Sequence, residues 1–279
     1  MNRFTTSDGL SLAYTDSGSG VPVLCLAGLT RNHEDFDPLI AARPGACRYI
    51  CLDARGRGAS DFAKDPVEYS VPVEARDVLE LMDHLGLSSA AILGTSRGGL
   101  LALAIAAVAP ERLTGVLFND VGPDIDLAGL EAILAYIGRP PPVKTHEEMA
   151  MGLAKLSEGT VTGLSHEDWV AASKRAYTQT AEGLALRYDP GLREGVAAAV
   201  ANPEELPDLW PVYALLADKP VAVLRGEHSN ILTAETFARM AAEHPGLIAA
   251  VVPGRGHVPF LDEPDALRVF DTWIERLAE

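Results

Sequence analysis

Ala90-Ala91-Ile92-Leu93-Gly94-Thr95-Ser96-Arg97-Gly98 is the stretch on which the fold turns. Its first four residues form a short apolar run that stops at a glycine, as strands buried on both faces do. From Gly98 to Ala109 the chain is almost wholly apolar and ends at Pro110, which predicts a buried helix. Between them lies a Gly-x-Ser-x-Gly pentapeptide. A sharp strand-to-helix turn there pushes the Ser96 hydroxyl out above the strand ends. Gly94 and Gly98 leave room where a β-carbon would collide. The start of the helix brings free N–H groups and the positive end of its dipole beside that hydroxyl. The pentapeptide alone is a weak pattern, equally at home in a plain glycine-rich turn. Flanked by a strand and a helix, it marks Ser96 as a candidate nucleophile.

The same alternation extends in both directions. Leu10 to Tyr14 alternates apolar and polar residues and leads into Asp16-Ser17-Gly18-Ser19-Gly20, which predicts an early strand and a hairpin turn. Apolar runs at 21–26, 48–52, 115–118, 221–224 and 248–252 predict further strands, each ending at a glycine or a polar residue. Ser70 is placed to cap a helix whose stripe is Val78, Leu81, Met82 and Leu85, with Gly86 closing it. Asp265 to Leu277 is a last amphipathic helix. Strands alternating with helices imply a mostly parallel, twisted sheet covered on both faces.

One region breaks the alternation. From about 125 to 211 helix patterns occur without a convincing strand. Leu127, Leu130, Ile133, Leu134 and Ile137 share a face, and Thr145/Glu148 and Ser165/Asp168 have capping-box spacing. The sheet resumes at Val221. The chain therefore divides into a core of residues 1–124 and 212–279 and a helical lid inserted at 125–211.

The sequence resembles the α/β-hydrolase superfamily over nearly its whole length. The similarity is carried, in family order, by Leu26-Ala27-Gly28-Leu29-Thr30, Leu52 to Asp61 (Leu-Asp-Ala-Arg-Gly-Arg-Gly-Ala-Ser-Asp), the serine turn, Arg225 to Asn230, and Pro253 to Phe260. The resemblance implies the α/β-hydrolase fold, with Ser96 as nucleophile and His257 as general base. It implies an oxyanion hole made by the backbone N–H groups of Leu29 and Arg97, with Gly28 beside the substrate. Neutral imidazole would take the serine proton during attack and return it to the leaving group.

The acid departs from the family pattern. Asn230 stands where relatives carry Asp. An Asn can hold the histidine tautomer, but it cannot offset the imidazolium charge. The same exchange in a serine protease costs roughly four orders of magnitude in turnover. Three readings stay open. Asp120, at the end of the neighbouring strand, could be the acid, as in some members of the superfamily. Asn230 could mark an inactivated variant. Or Asn230 could orient His257 natively. Asp120 also suits a plain turn role, and Glu227 and Asp262 are weaker choices. Asp53, Arg55 and Asp61 form a charged loop that either lines a pocket or makes internal ion pairs. In the lid, Trp169, Tyr177 and Tyr188 could wall a substrate cavity or simply pack.

Composition excludes other classes. The net charge of −16 argues against nucleic acid and against anionic membranes. Three cysteines, without metal-ligand spacing, are too few for a disulfide framework, and no histidine pair has metal-ligand spacing. No apolar leader or run long enough to span a bilayer appears. The expectation is a cytoplasmic enzyme that needs no cofactor or metal. It would hydrolyse a small ester or lactone through an acyl-enzyme. Carbon–carbon hydrolysis, lyase or cofactor-free oxygenase chemistry with the same Ser and His is the alternative. A non-catalytic small-molecule binder ranks behind both.

Overall fold

The computed structural model describes residues 1–279. In chain order the core begins with β1 (Asn2–Thr5), β2 (Ser11–Gly18), β3 (Pro22–Leu26), α1 (Asp37–Ala42), β4 (Arg48–Leu52), α2 (Val71–His84), β5 (Ala90–Thr95), α3 (Arg97–Val108) and β6 (Leu113–Asn119). An insert follows, with α4 (Leu127–Tyr136), α5 (His146–Leu156), α6 (His166–Ala176), β7 (Tyr177–Gln179), β8 (Leu184–Leu186) and α7 (Leu192–Ala201). The chain closes with α8 (Trp210–Ala214), β9 (Val221–Gly226), α9 (Ala234–Glu243), β10 (Ile248–Val252) and α10 (Pro264–Leu277).

The apolar runs form one 8-stranded sheet in the order β1-β2-β4-β3-β5-β6-β9-β10. From β4 to β10 all pairs are parallel, and β1 and β2 add an antiparallel edge. Alternate residues of each strand enter opposite layers. Leu24, Ile50, Ile92, Val116 and Val223 pack under α2 and α3, whereas Val23, Tyr49, Leu93, Leu117 and Leu224 pack under α1 and α10. Two buried faces explain why these strands read as continuous apolar runs rather than alternating ones. Trp273 of α10 is fully buried in the second layer, with its indole N–H donated to the Pro220 carbonyl. A buried side chain of that size contributes several kcal/mol, of order 3–5 by the cost of truncating it.

The sheet departs from expectation at its first edge. Asp16 to Gly18 stay in β2, paired with β4, instead of turning. The Asp16 carboxylate grips Arg48 across the strands at 2.7 and 3.0 Å, which holds these polar residues in the ladder. The turn therefore begins at Ser19. Both capping boxes of the insert form as expected. The β7–β8 hairpin was not expected, because two strands of 3 residues are too short to show a period. Ile125 and Trp210, at either end of the insert, pack on the main core. No helix is long and apolar enough to cross a membrane.

The chain passes from β3 to β4 on one side, then returns to β5 on the other. That reversal opens a crevice at the carboxyl ends of β3 and β5, where ligands bind in open parallel sheets. The loops after these strands carry Gly28-Leu29 and Ser96.

Candidate active site

Ser96 sits between β5 and α3 with φ +50 and ψ −112. A side chain in that conformation is strained, and strain of order 1–3 kcal/mol persists only where surrounding packing enforces it. The packing does so here. A β-carbon on Gly98 would stand 2.0 Å from the Leu26 carbonyl oxygen, and one on Gly94 would stand 2.5 Å from the Gly98 backbone. Only glycine lets β3, β5 and α3 approach this closely. Ser96 occupies the N-cap position yet makes no cap bond with its hydroxyl, which stays free for another partner.

That partner is His257. Its Nε2 lies 2.9 Å from Ser96 Oγ, and its Nδ1 lies 2.7 Å from Asp120 Oδ2. A carboxylate can only accept, so Nδ1 carries the proton and Nε2 is left to accept from the serine. Asp120 is fully buried and holds φ +60 just past the end of β6. Its second oxygen accepts the Gly226 N–H at 2.8 Å, and its own N–H donates to the Leu224 carbonyl at 2.8 Å. The carboxylate is thus fixed from β9, the strand next door.

Asn230 does not fill this place. It is exposed, and its side chain makes no hydrogen bond to His257. The expectation that position 230 opposes the histidine is corrected by the neighbouring strand end. On the 227–230 loop, Glu227 is spent on the Gly254 N–H at 2.8 Å.

Leu29 follows Gly28, where a β-carbon would lie 3.8 Å from Ser96 Cβ, and Arg97 follows Ser96 itself; neither amide donates to a backbone carbonyl. Arg97 is the first residue of α3, so its N–H has no partner within the helix. Donors so placed can hold a developing oxyanion, each worth roughly 3 kcal/mol in the transition state. Gly28 lies between the Arg31 side chain and Ser96. A β-carbon there would be 3.5 Å from Arg31 Cγ and 3.8 Å from Ser96 Cβ.

The remaining sequence candidates divide. Tyr188 is 6 % exposed and packs with Tyr69, Ile137, Leu192 and Val196 against Leu29, its hydroxyl accepting the Gly138 N–H at 3.1 Å. It packs in the seam between insert and core. Trp169, on α6, is half-buried and its indole makes no hydrogen bond to Ser96, His257 or Asp120. Arg55 is buried against Asp77 at 2.6 and 2.7 Å, and Asp61 accepts the Ser11 N–H, so that charged loop serves internal bonds.

Other groups had no clear sequence signal. Asn119, the last residue of β6, donates to Thr95 Oγ1 and to the Pro259 carbonyl, both at 3.1 Å, and so props the histidine loop. Tyr136 keeps 56 % of its surface accessible, yet burial raises its phenol pKa. Burial raises that of Tyr177 as well. The Arg31 charge opposes that rise at both phenols.

The insert touches both loops that frame Ser96. Asn32 donates to the Arg175 carbonyl, and Arg187 clasps Glu34 through two bonds of 2.6 Å. On the histidine side, Arg255 donates to the Thr162 carbonyl at 2.7 Å, and the Thr162 N–H donates to the Gly254 carbonyl.

Comparison with known proteins agrees with the fold. The alpha/beta hydrolase fold family matches residues 21–264. A 3-hydroxybutyrate-oligomer hydrolase of Cupriavidus necator is 34% identical over 257 residues, covering 88% of this chain and 86% of that protein. A 2-(acetamidomethylene)succinate hydrolase of Mesorhizobium japonicum is 27% identical over 89% of this chain and 85% of its own length. The crystal structure of an alpha/beta hydrolase from Novosphingobium aromaticivorans superposes with a TM-score of 0.88 at 36% identity, covering 99% of this chain and 97% of that one.

Proposed function

We propose, for a chain that belongs to the α/β-hydrolase family, the hydrolysis of a small carboxylic ester by way of an acyl-enzyme on Ser96. The observation that carries the reading is the Ser96–His257–Asp120 relay, with both bonds at 2.9 Å or less. Ser96 Oγ attacks the ester carbonyl carbon while its proton passes to His257 Nε2. Asp120 holds Nδ1–H and balances the imidazolium that forms. The carbonyl oxygen, now negative, sits between the Leu29 and Arg97 amides. The C–O bond to the alcohol breaks, and His257 returns the proton to the leaving oxygen. Water then repeats the sequence on the acyl-enzyme, releasing the acid and restoring Ser96. Asp120 supplies the acid, so Asn230 carries no sign of inactivation.

The substrate we assign is a short ester of a hydroxy acid. The oligomer hydrolase relative supports it. The insert, whose bonds reach the Leu29 loop and the histidine loop, is the lid over the site. Small-molecule substrates also fit the net charge of −16 better than nucleic acid or a membrane surface. A cytoplasmic setting belongs to the same proposal.

The test is turnover of p-nitrophenyl butyrate and of 3-hydroxybutyrate dimer and trimer, with fluorophosphonate labelling located by mass spectrometry. Label on Ser96 and a loss of about six orders of magnitude in kcat for Ser96→Ala are expected. Turnover that survives Ser96→Ala would sink the acyl-enzyme. Hydrolysis of p-nitrophenyl butyrate without cleavage of either oligomer would sink the substrate assignment alone.

A further inference from the structure

The relay leaves unused a buried ion cluster behind the two oxyanion amides. Glu74, on α2, is 1 % exposed and has a guanidinium on each carboxylate oxygen. Arg57 Nη1 donates to Oε1 at 2.7 Å, and Arg97 Nε donates to Oε2 at 3.0 Å. Burial opposes ionisation of Glu74, but the two guanidinium groups outweigh it and hold its pKa below the ordinary value. Each arginine also reaches backbone. Arg57 Nε donates to the Leu29 carbonyl at 2.8 Å, and Arg97 Nη2 donates to the Tyr69 carbonyl at 2.9 Å. One carboxylate therefore ties, through one guanidinium on each side, Leu29 to Arg97, the two residues proposed to donate to the oxyanion.

Stability is a poor reason for this arrangement. Well-packed apolar side chains commonly match or exceed a buried charge cluster in stability. Arg57 is 1 % exposed and its Nη2 has no partner in the protein, a further cost. Geometry is the better reason. The Leu29 loop follows β3 and Arg97 opens α3 after β5, so the two amides belong to different segments. The Leu29 segment lies outside regular structure, so backbone ladders alone leave its position loosely set. Misplacement by about 1 Å in such a site can cost about 100-fold in rate.

We infer that the side chains of Arg57, Glu74 and Arg97 form a positioning device that fixes the spacing between the Leu29 and Arg97 amides, and so the strength with which they hold the oxyanion. The inference rests on the hydrolase reading above. None of the three side chains touches the reacting atoms, and they act through the backbone.

Arg97→Met tests it. The variant keeps the backbone amide and leaves Glu74 paired with Arg57, so no buried charge is stranded. On p-nitrophenyl butyrate, kcat falls about 10- to 100-fold while KM stays within about threefold. Affinity for butylboronic acid, whose tetrahedral adduct on Ser96 places an oxygen in the hole, falls by a similar factor. Arg97→Lys, which keeps the charge but not the fork, recovers only part of both. Glu74→Gln has the larger effect, and adding Arg97→Met to it costs little more, because both cut one tie. Melting curves report whether Glu74→Gln folds; if it does not, Arg97→Met decides alone. Wild-type kcat and boronate affinity in folded Arg97→Met overturn the inference and leave the hydrolase reading intact. A loss of kcat with unchanged boronate affinity overturns it as well. Turnover independent of Ser96 in the wild-type background overturns both.

Discussion

Two buried aspartates stand just past the ends of two strands of one sheet, and each holds a histidine by Nδ1. Asp120 follows β6 and holds His257 at 2.7 Å; Asp53 follows β4 and holds His33 at 2.9 Å. Both carboxylates are fully buried, and both accept backbone N–H groups besides the ring, Gly226 for Asp120, His33 and Ala59 for Asp53. The difference lies at the other ring nitrogen. His257 Nε2 meets a serine hydroxyl held out by a strained turn, whereas His33 Nε2 makes no hydrogen bond within the protein. A His–Asp pair is a structural staple by default. It becomes a proton relay only when the fold delivers a nucleophile to its free nitrogen.

That contrast is open to attack, most severely by making one substitution in both pairs. Asp120→Asn should lower kcat by about four orders of magnitude with modest loss of stability, since the amide can hold the wrong tautomer. Asp53→Asn should leave kcat within about threefold and instead lower stability by about 1–3 kcal/mol, read as a shift in the melting curve. If the two variants lost comparable activity, the distinction would collapse.

The pH dependence of stability sharpens it further. The bond to Asp53 raises the His33 pKa above its ordinary 6.5. The folded state therefore favours protonated His33. Its contribution is fully present below pH 6.5 and lost as pH rises through the raised folded value. Melting temperatures of wild type minus His33→Gln should shrink on going from pH 6 upward through that window. A difference that grows with pH would reverse the sign and refute the pairing. The smallest effect belongs to Asn230→Ala, for which kcat within about twofold of wild type is expected. A drop beyond about tenfold would return position 230 to the machinery.

The parts of this architecture with local signatures were legible in the sequence. Ser96 announced itself because a glycine pentapeptide joining an apolar run to an apolar helix fits little besides a sharp strand-to-helix turn. The strands were visible because burial on both faces makes them uniformly apolar. Which acid faces His257 was not legible, since several strand ends carry a carboxylate or amide and only sheet order brings β6 between β5 and β9. Glu74 was missed although a hint existed. It falls on the same helix face as Val78, Leu81 and Leu85, where a carboxylate needs a buried partner. Its partners Arg57 and Arg97 lie 17 and 23 residues away, on other elements.

The reach of the relay has a consequence for how the chain acquires its reactivity. The Ser96–His257 contact spans 161 residues and the Asp120–His257 contact spans 137. Contacts of that separation are slow to form, because chain ends must be brought together before they gain anything. The activation proposed for Ser96 is therefore a property of the finished sheet rather than of any fragment. Covalent capture of Ser96 during refolding should lag behind recovery of helical signal, which makes the nucleophile a built-in clock for the last stage of assembly.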